Sequence, residues 1–186
     1  VPPTLLVSGI GVMEDTAHAV SIDPKAAGDF VYILGETKDE LGASEYYDHR
    51  GVLGNNVPVT DTALNYTLYQ ALSKANKQQL CASAIPVSFG GLGVALAKKA
   101  IAGQCGLDIH IESDLRLDKL LFSESQGRII VTVAPNDKEA FETIMGDYPH
   151  VTNIGTVTDN NSIIINEVQA DIDKLDHAYK ATLGDY

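Results

Sequence analysis

Ser123-Glu124-Ser125-Gln126-Gly127-Arg128 gathers two hydroxyls, a carboxylate, an amide and one guanidinium into six consecutive residues. The run follows the apolar Leu121-Phe122 and precedes Ile129-Ile130-Val131-Thr132-Val133, which reads as a strand. It is poor material for a strand or a helix. It suits a tight polar loop whose N–H groups, hydroxyls and cation could hold a phosphate or a sugar at the entrance of a sheet. The same residues also suit a closed structural turn in which Glu124 pairs with Arg128, and chemistry alone leaves both readings open.

Ser88-Phe89-Gly90-Gly91 is a second candidate, placed between a strand-like run and a helical one. Glycines let the backbone approach a ligand, and a helix N-terminus offers free N–H groups at the positive end of its dipole. Tight packing of helix on sheet explains the glycines equally well. Neither a Walker A loop nor a G-x-G-x-x-G run is present, so an independent nucleotide fold is not indicated. The third cluster, Asp39 to Asp48, holds the carboxylates of Asp39, Glu40, Glu45 and Asp48. Such oxygens can ligate Mg²⁺, but a solvated loop or helix end has the same composition, and Tyr46-Tyr47 suits packing or an interface. His18, His49, His110, His150 and His177 are scattered without zinc-ligand spacing. No Ser, Thr or Cys sits in a nucleophile elbow. No catalytic residue and no metal ligand is therefore assigned.

The elements that must position these clusters follow from periodicity. Thr4–Val12 is strand-like, and Phe30–Leu34, after the turn Gly28-Asp29, is a buried strand. Residues 36–59 read as a long, partly ordered loop of the kind that is functional or covers an interface. Asp61-Thr62 opens a helix striped by Leu64, Leu68, Ala71, Leu72 and Ala75. Leu80–Val87 is a strand. The helix after Gly91 turns Leu92, Ala95, Leu96 and Ala100 inward and Lys98 and Lys99 outward, and Gly103 ends it. Leu107–Ile111 is a strand, Leu115–Phe122 a short helix and Ile129–Val133 a strand. A helix capped by Pro135-Asn136-Asp137 follows, with Glu139 completing a capping box on Asn136. Val151–Val157 and Ser162–Ile165 are expected to pair around Asp159-Asn160-Asn161. Val168, Ile172, Leu175 and Tyr179 stripe the last helix. Strands and helices mix without a regular βα repeat, which predicts an α+β fold: a mixed sheet with covering helices in α/β/α layers.

The bulk numbers bound the function classes. The 186 residues suit one domain, 1–186, with 45% hydrophobic and 20% charged residues. A formal charge of -12 and a pI near 4.6 argue against nucleic acid and anionic membranes as partners. No run approaches the ~20 apolar residues of a membrane span, and Val1-Pro2-Pro3 lacks the basic region of a signal peptide. Cys81 and Cys105 have no CxxC spacing and read as core thiols in a reducing cytoplasm. The missing initiator Met is expected of an excised or processed piece of a larger protein.

Taken in order, the clusters resemble a family. Gly28-Asp29-Phe30-Val31-Tyr32-Ile33-Leu34-Gly35, then Asp39-Glu40-Leu41-Gly42-Ala43-Ser44-Glu45-Tyr46, resemble the second half of the phosphoribosylformylglycinamidine synthase family. Ser88–Ala97 and Leu121–Arg128 fit that region in the same order, and Pro2–Leu6 resembles the segment that opens it. The resemblance implies the second C-terminal-type domain of the AIR-synthase-related superfamily. It also implies an ATP-dependent carbon–nitrogen ligase that converts formylglycinamide ribonucleotide and glutamine-derived ammonia to the amidine in purine biosynthesis. ATP and Mg²⁺ are implied for the full-length enzyme and held mainly by the other type of domain, so neither is expected on this domain alone, which should be inactive by itself. Implied partners are the remaining synthetase domains, a glutaminase subunit or domain, and the ribonucleotide substrate. By matching position Ser88, Gly90, Gly91, Ser123, Glu124, Ser125, Gln126, Gly127 and Arg128 are expected near substrate phosphate or at a domain interface. The alternatives are a non-catalytic interface module of that enzyme, or another ATP-dependent member of the superfamily. The chain departs from the family in two places. Ser83-Ala84-Ile85-Pro86-Val87-Ser88-Phe89 lacks the usual His and both acids before Gly-Gly, the groups that an acid–base or metal role would need. Ala43 stands where a glycine is usual.

Overall fold

Phe30–Leu34 (β1) and Ile129–Val133 (β4) are continuous apolar runs because both of their faces are covered. The computed structural model describes residues 6–146 and 148–181. In it these two strands lie inside a seven-stranded mixed sheet completed by β2 (Ser83–Pro86), β3 (Gly106–Ile109), β5 (Val151–Thr158), β6 (Ser162–Ile165) and β7 (Val168–Asp171). The order is β2-β4-β1-β5-β3-β6-β7. Every neighbouring pair is antiparallel except β3–β6.

Alternation sorts the sheet residues onto two cores. Val31, Ile33 and Ile130 face one layer with Leu92, Leu96 and Ala100 of α3 (Gly91–Gly103), Leu121 of α4 (Leu117–Phe122) and Ile172 of α6 (Ile172–Lys180). Tyr32, Leu34, Val131 and Val133 face the other, against Leu68 and Ala75 of α2 (Thr62–Lys77) and Phe141 and Met145 of α5 (Lys138–Met145). This is the α/β/α layering expected of the α+β fold. Asp61 caps α2 by accepting from Leu64 N at 2.9 Å, as the Asp61-Thr62 start requires.

Several local expectations are corrected. Residues 6–12 form no strand: Leu6, Ile10 and Val12 are exposed, and alternation without a neighbouring strand cannot make a sheet. Thr4 and Leu5 lie outside the described residues. Within 36–59 a short helix forms, α1 (Glu45–His49), started by the Ser44 hydroxyl accepting from Tyr47 N. Asn136 and Glu139 build no capping box, because Pro135–Asp137 is a 3₁₀ turn and α5 starts after it without a side-chain cap. β5 and β6 do not pair, since β3 lies between them. Val168 belongs to β7, which folds back on β6 before α6 begins. Lys99 points inward and is wholly buried.

Phe141 is fully buried, with its ring 5.0 Å from that of Tyr32. Phe141→Ala should lower stability by about 3–5 kcal/mol through the cavity it leaves, read as a lower urea midpoint at an unchanged slope.

Candidate functional site

The three clusters meet at one end of the sheet, where β1 and β2 run out and β4 begins. Ser123 and Ser125 fasten the loop after β1: their hydroxyls accept from Glu40 N at 3.2 Å and Lys38 N at 3.0 Å. Glu124 reaches the other two clusters at once. Its Oε1 accepts from Gly90 N at 2.8 Å and from Glu45 N at 3.0 Å. Arg128 closes the loop on itself, Nε donating to Ser125 O at 3.0 Å and Nη2 to Ser123 O at 2.5 Å, while Nη1 donates to Thr37 Oγ1 at 2.8 Å. Glu124 and Arg128, both described residues, do not pair directly, so the ion pair of the structural-turn reading is replaced by two separate sets of hydrogen bonds.

Burial decides what each residue can offer. Arg128 is 1% exposed and Ser123 0%, with Ser125 and Glu124 also buried. Burial pushes the Arg128 guanidinium down to about 10, against the raising influence of Glu40 and Glu124, so it stays charged at neutral pH. Its donors are directed at carbonyls and Thr37, not at solvent. The positive end of α3 holds an anion of its own, the Glu124 carboxylate on Gly90 N. The exposed members of the set are Ser88 and Gln126, beside Phe89, which is 71% exposed.

The glycines have steric reasons. Gly91 has φ +67°, and a Cβ there would stand 2.6 Å from Ser123 O and 2.7 Å from Leu121 O, so the α3 turn and the Ser123 loop touch through backbone. Phe122 and Tyr46 stack with centroids 4.7 Å apart, which presses α1 onto α4. The Asp39–Asp48 carboxylates disperse: Asp39 bonds Lys119 at 2.5 Å, Glu40 Oε1 accepts from Val59 N at 3.1 Å, and Glu45 and Asp48 face outward. Among the described residues no three His, Cys, Asp or Glu side chains gather closely enough to hold a metal ion.

Beside this knot lies a cleft of about 580 Å³ that sequence reasoning missed. Glu36, Thr37, His110, Glu112, His150 and Asn153 are among its lining residues. His150 Nε2 is 4.0 Å from Glu36 Oε2. Its histidines are 40 residues apart in the chain, and only the position of each at a strand end (after β3, before β5) marks them in the sequence.

A layered α+β domain with a mixed sheet and a polar loop knot at one end is the class these features define. Residues 26–166 match the family model "AIR synthase related protein, C-terminal domain", and the chain belongs to that family. It is 36% identical over 151 residues to phosphoribosylformylglycinamidine synthase subunit PurL of Methanothrix thermoacetophila, an alignment covering 80% of this chain and 20% of that protein. Its fold is similar to T. maritima PurL complexed with FGAR, with TM-score 0.72 and 18% identity over 85% of this chain and 29% of that one. E. coli HypE, a hydrogenase maturation protein, shares the fold more loosely, with TM-score 0.59 and 18% identity over 82% and 51% of the two chains. The chain thus spans about a fifth of the length of its curated PurL relative.

Three substitutions test the knot and the strained turn beside it. Glu124→Ala leaves two N–H groups without their acceptor and should cost about 1–3 kcal/mol for each one left buried and unpaired. Amide exchange at Gly90 and Glu45 should speed up, while Glu124→Gln, which keeps an oxygen acceptor, should lose less. Ala43 is exposed and has φ +57°, strain that a glycine relieves. Ala43→Gly should therefore raise stability by about 0.5–1 kcal/mol after the entropy of the freer unfolded chain is subtracted, measured as a higher urea midpoint.

Proposed function

We propose that this chain is a domain of an ATP-dependent carbon–nitrogen ligase, the synthase that converts formylglycinamide ribonucleotide, with ATP and glutamine-derived ammonia, to formylglycinamidine ribonucleotide in purine biosynthesis. The observation that carries the reading is the knot. Three motifs far apart in the chain and ordered as in that synthase family converge on the two oxygen-bonded N–H groups of Gly90 and Glu45. The 36% identity to the Methanothrix subunit supports the same reading.

In this reading the nine residues divide their work. Ser123, Glu124, Ser125 and Arg128 hold the loops rigid from inside. Gly90 and Gly91, also buried, let the α3 turn meet the loop through backbone. Ser88, Gln126 and the half-buried Gly127 form the edge of the knot turned toward substrate phosphate or a neighbouring domain. The cleft past Glu36 and His110 opens at the same sheet end and extends that face. In this reading ATP and its metal are held mainly by the remaining domains and the isolated chain is inactive, and the dispersal of the Asp39, Glu40, Glu45 and Asp48 carboxylates supports that. Its partners are those domains, a glutaminase subunit or domain and the ribonucleotide, in the cytoplasm, with no nucleic acid and no membrane. Among the described residues no helix is long and apolar enough to cross a bilayer. One feature favours a purely interfacial role for the α3 turn: Phe89, not an acid, precedes Gly90-Gly91 and projects into solvent.

The test joins this chain to the remaining domains of a synthase subunit and measures ammonia-dependent ATP turnover with formylglycinamide ribonucleotide. Arg128→Ala should lower kcat by about 100-fold, as misplaced positioning loops do. Unchanged turnover and unchanged substrate affinity would remove the loop from the reaction.

A further inference from the structure

Lys99 is wholly buried on the inner face of α3. Its amine donates to Ser83 Oγ on β2 and, at 3.3 Å, to the carbonyl of Ile22. Ser83 Oγ lies 2.5 Å from Thr132 Oγ1 on β4, so amine and two hydroxyls form one buried chain across the sheet. Ile22 belongs to the stretch that leads into the domain. That stretch covers the outer edge of β2, where Ser21 O accepts from Ala84 N at 2.9 Å. It also seats Pro24 so close to α3 that a Cβ on Gly103 would stand 2.6 Å from Pro24 Cδ.

We propose that the Lys99–Ser83–Thr132 chain is a proton-operated latch that fastens Ser21–Pro24 to α3 and to the edge of the sheet. The uncharged amine needs no counter-ion and is satisfied by a carbonyl and a hydroxyl, whereas an ammonium brings a third N–H and a charge into a buried site. Releasing the segment admits water to Lys99, so the open state takes up a proton that the closed state resists. Burial pushes the closed-state amine down to about 7 from an ordinary value of 10.5.

The groups acting on its charge come from every side of the site. Asp23 and Lys25 lie on the segment itself, Asp29 precedes β1, and Cys81 precedes β2. Lys25 and Ser21 hold Asp23 down to about 2, and burial pushes the Cys81 thiol up to about 12. Neither changes charge between pH 7 and 9.5. Asp29 is buried, and its carboxyl is raised from the usual value chiefly by burial; its Oδ2 has no hydrogen-bond partner among the described residues.

The sign follows from the two states. The closed state binds the proton more weakly, so closure is most favourable at high pH. It weakens about tenfold per unit as pH falls from 9.5 to 7, and below 7, where both states are protonated, it changes no further.

The experiment is NMR on the 186-residue chain. The Lys99 ¹³Cε resonance should titrate near pH 7. The protection factor of the Ala84 amide, corrected for intrinsic exchange, should stay below that of Val131 in the central strand, drop about tenfold for each pH unit from 9.5 to 7 and then level off. Lys99→Met should abolish the pH dependence, and Lys99→Gln serves where Met perturbs the fold. Titration of Lys99 above pH 9.5, a constant Ala84 protection factor across that range, or the same pH dependence in a folded Lys99 variant would each overturn the latch.

Discussion

The domain depends on a requirement that buried charge be fully hydrogen-bonded. Glu124 and Arg128 stand four residues apart in one loop, both are buried, and each finds its partners elsewhere. A carboxylate removed from water needs donors, and the N–H groups at the start of α3 and of α1 supply them. A guanidinium needs a planar array of acceptors, and the loop bends its own carbonyls around it. Meeting both needs fixes where α1, α3, α4 and the end of β1 lie relative to one another. The polar residues at this end are therefore the frame of the site, and the atoms open to a ligand are the few at its rim.

How much of this the sequence discloses depends on the range of the interaction involved. Strands buried on both faces announce themselves by composition, as β1 and β4 do, and the stripe of α2 with its Asp61 cap is read from local spacing alone. The three polar clusters are visible as chemistry, and their order carries the family. Their convergence is not visible, because Glu124 bonds residues 34 and 79 positions away. Strand neighbours are similarly hidden: a turn-rich Asp159-Asn160-Asn161 invites a hairpin, but β3 intervenes.

Lys99 is an instructive miss. From Leu92 it stands seven residues on, so helical spacing alone puts it on the same inward face. Charge suggested the opposite face and was the weaker guide, because a hydroxyl on each of two adjacent strands made a polar floor for the amine to reach. The inner layer under α3 is thus apolar along most of its length and polar at one corner. Uniform hydrophobic patterning cannot describe it.

The strand order has a consequence for synthesis on the ribosome. β5 lies between β1 and β3 and pairs with both, for example Phe30 with Thr156 and Leu107 with Val157. Until residues 151–158 leave the exit tunnel, β1 and β3 each show an unpaired edge beside apolar side chains, with no partner yet made. Such edges are slow to satisfy and prone to pair wrongly. Nearly the whole domain must emerge before the sheet becomes continuous, so the nascent domain needs protection from its neighbours until β5 has joined β1 to β3.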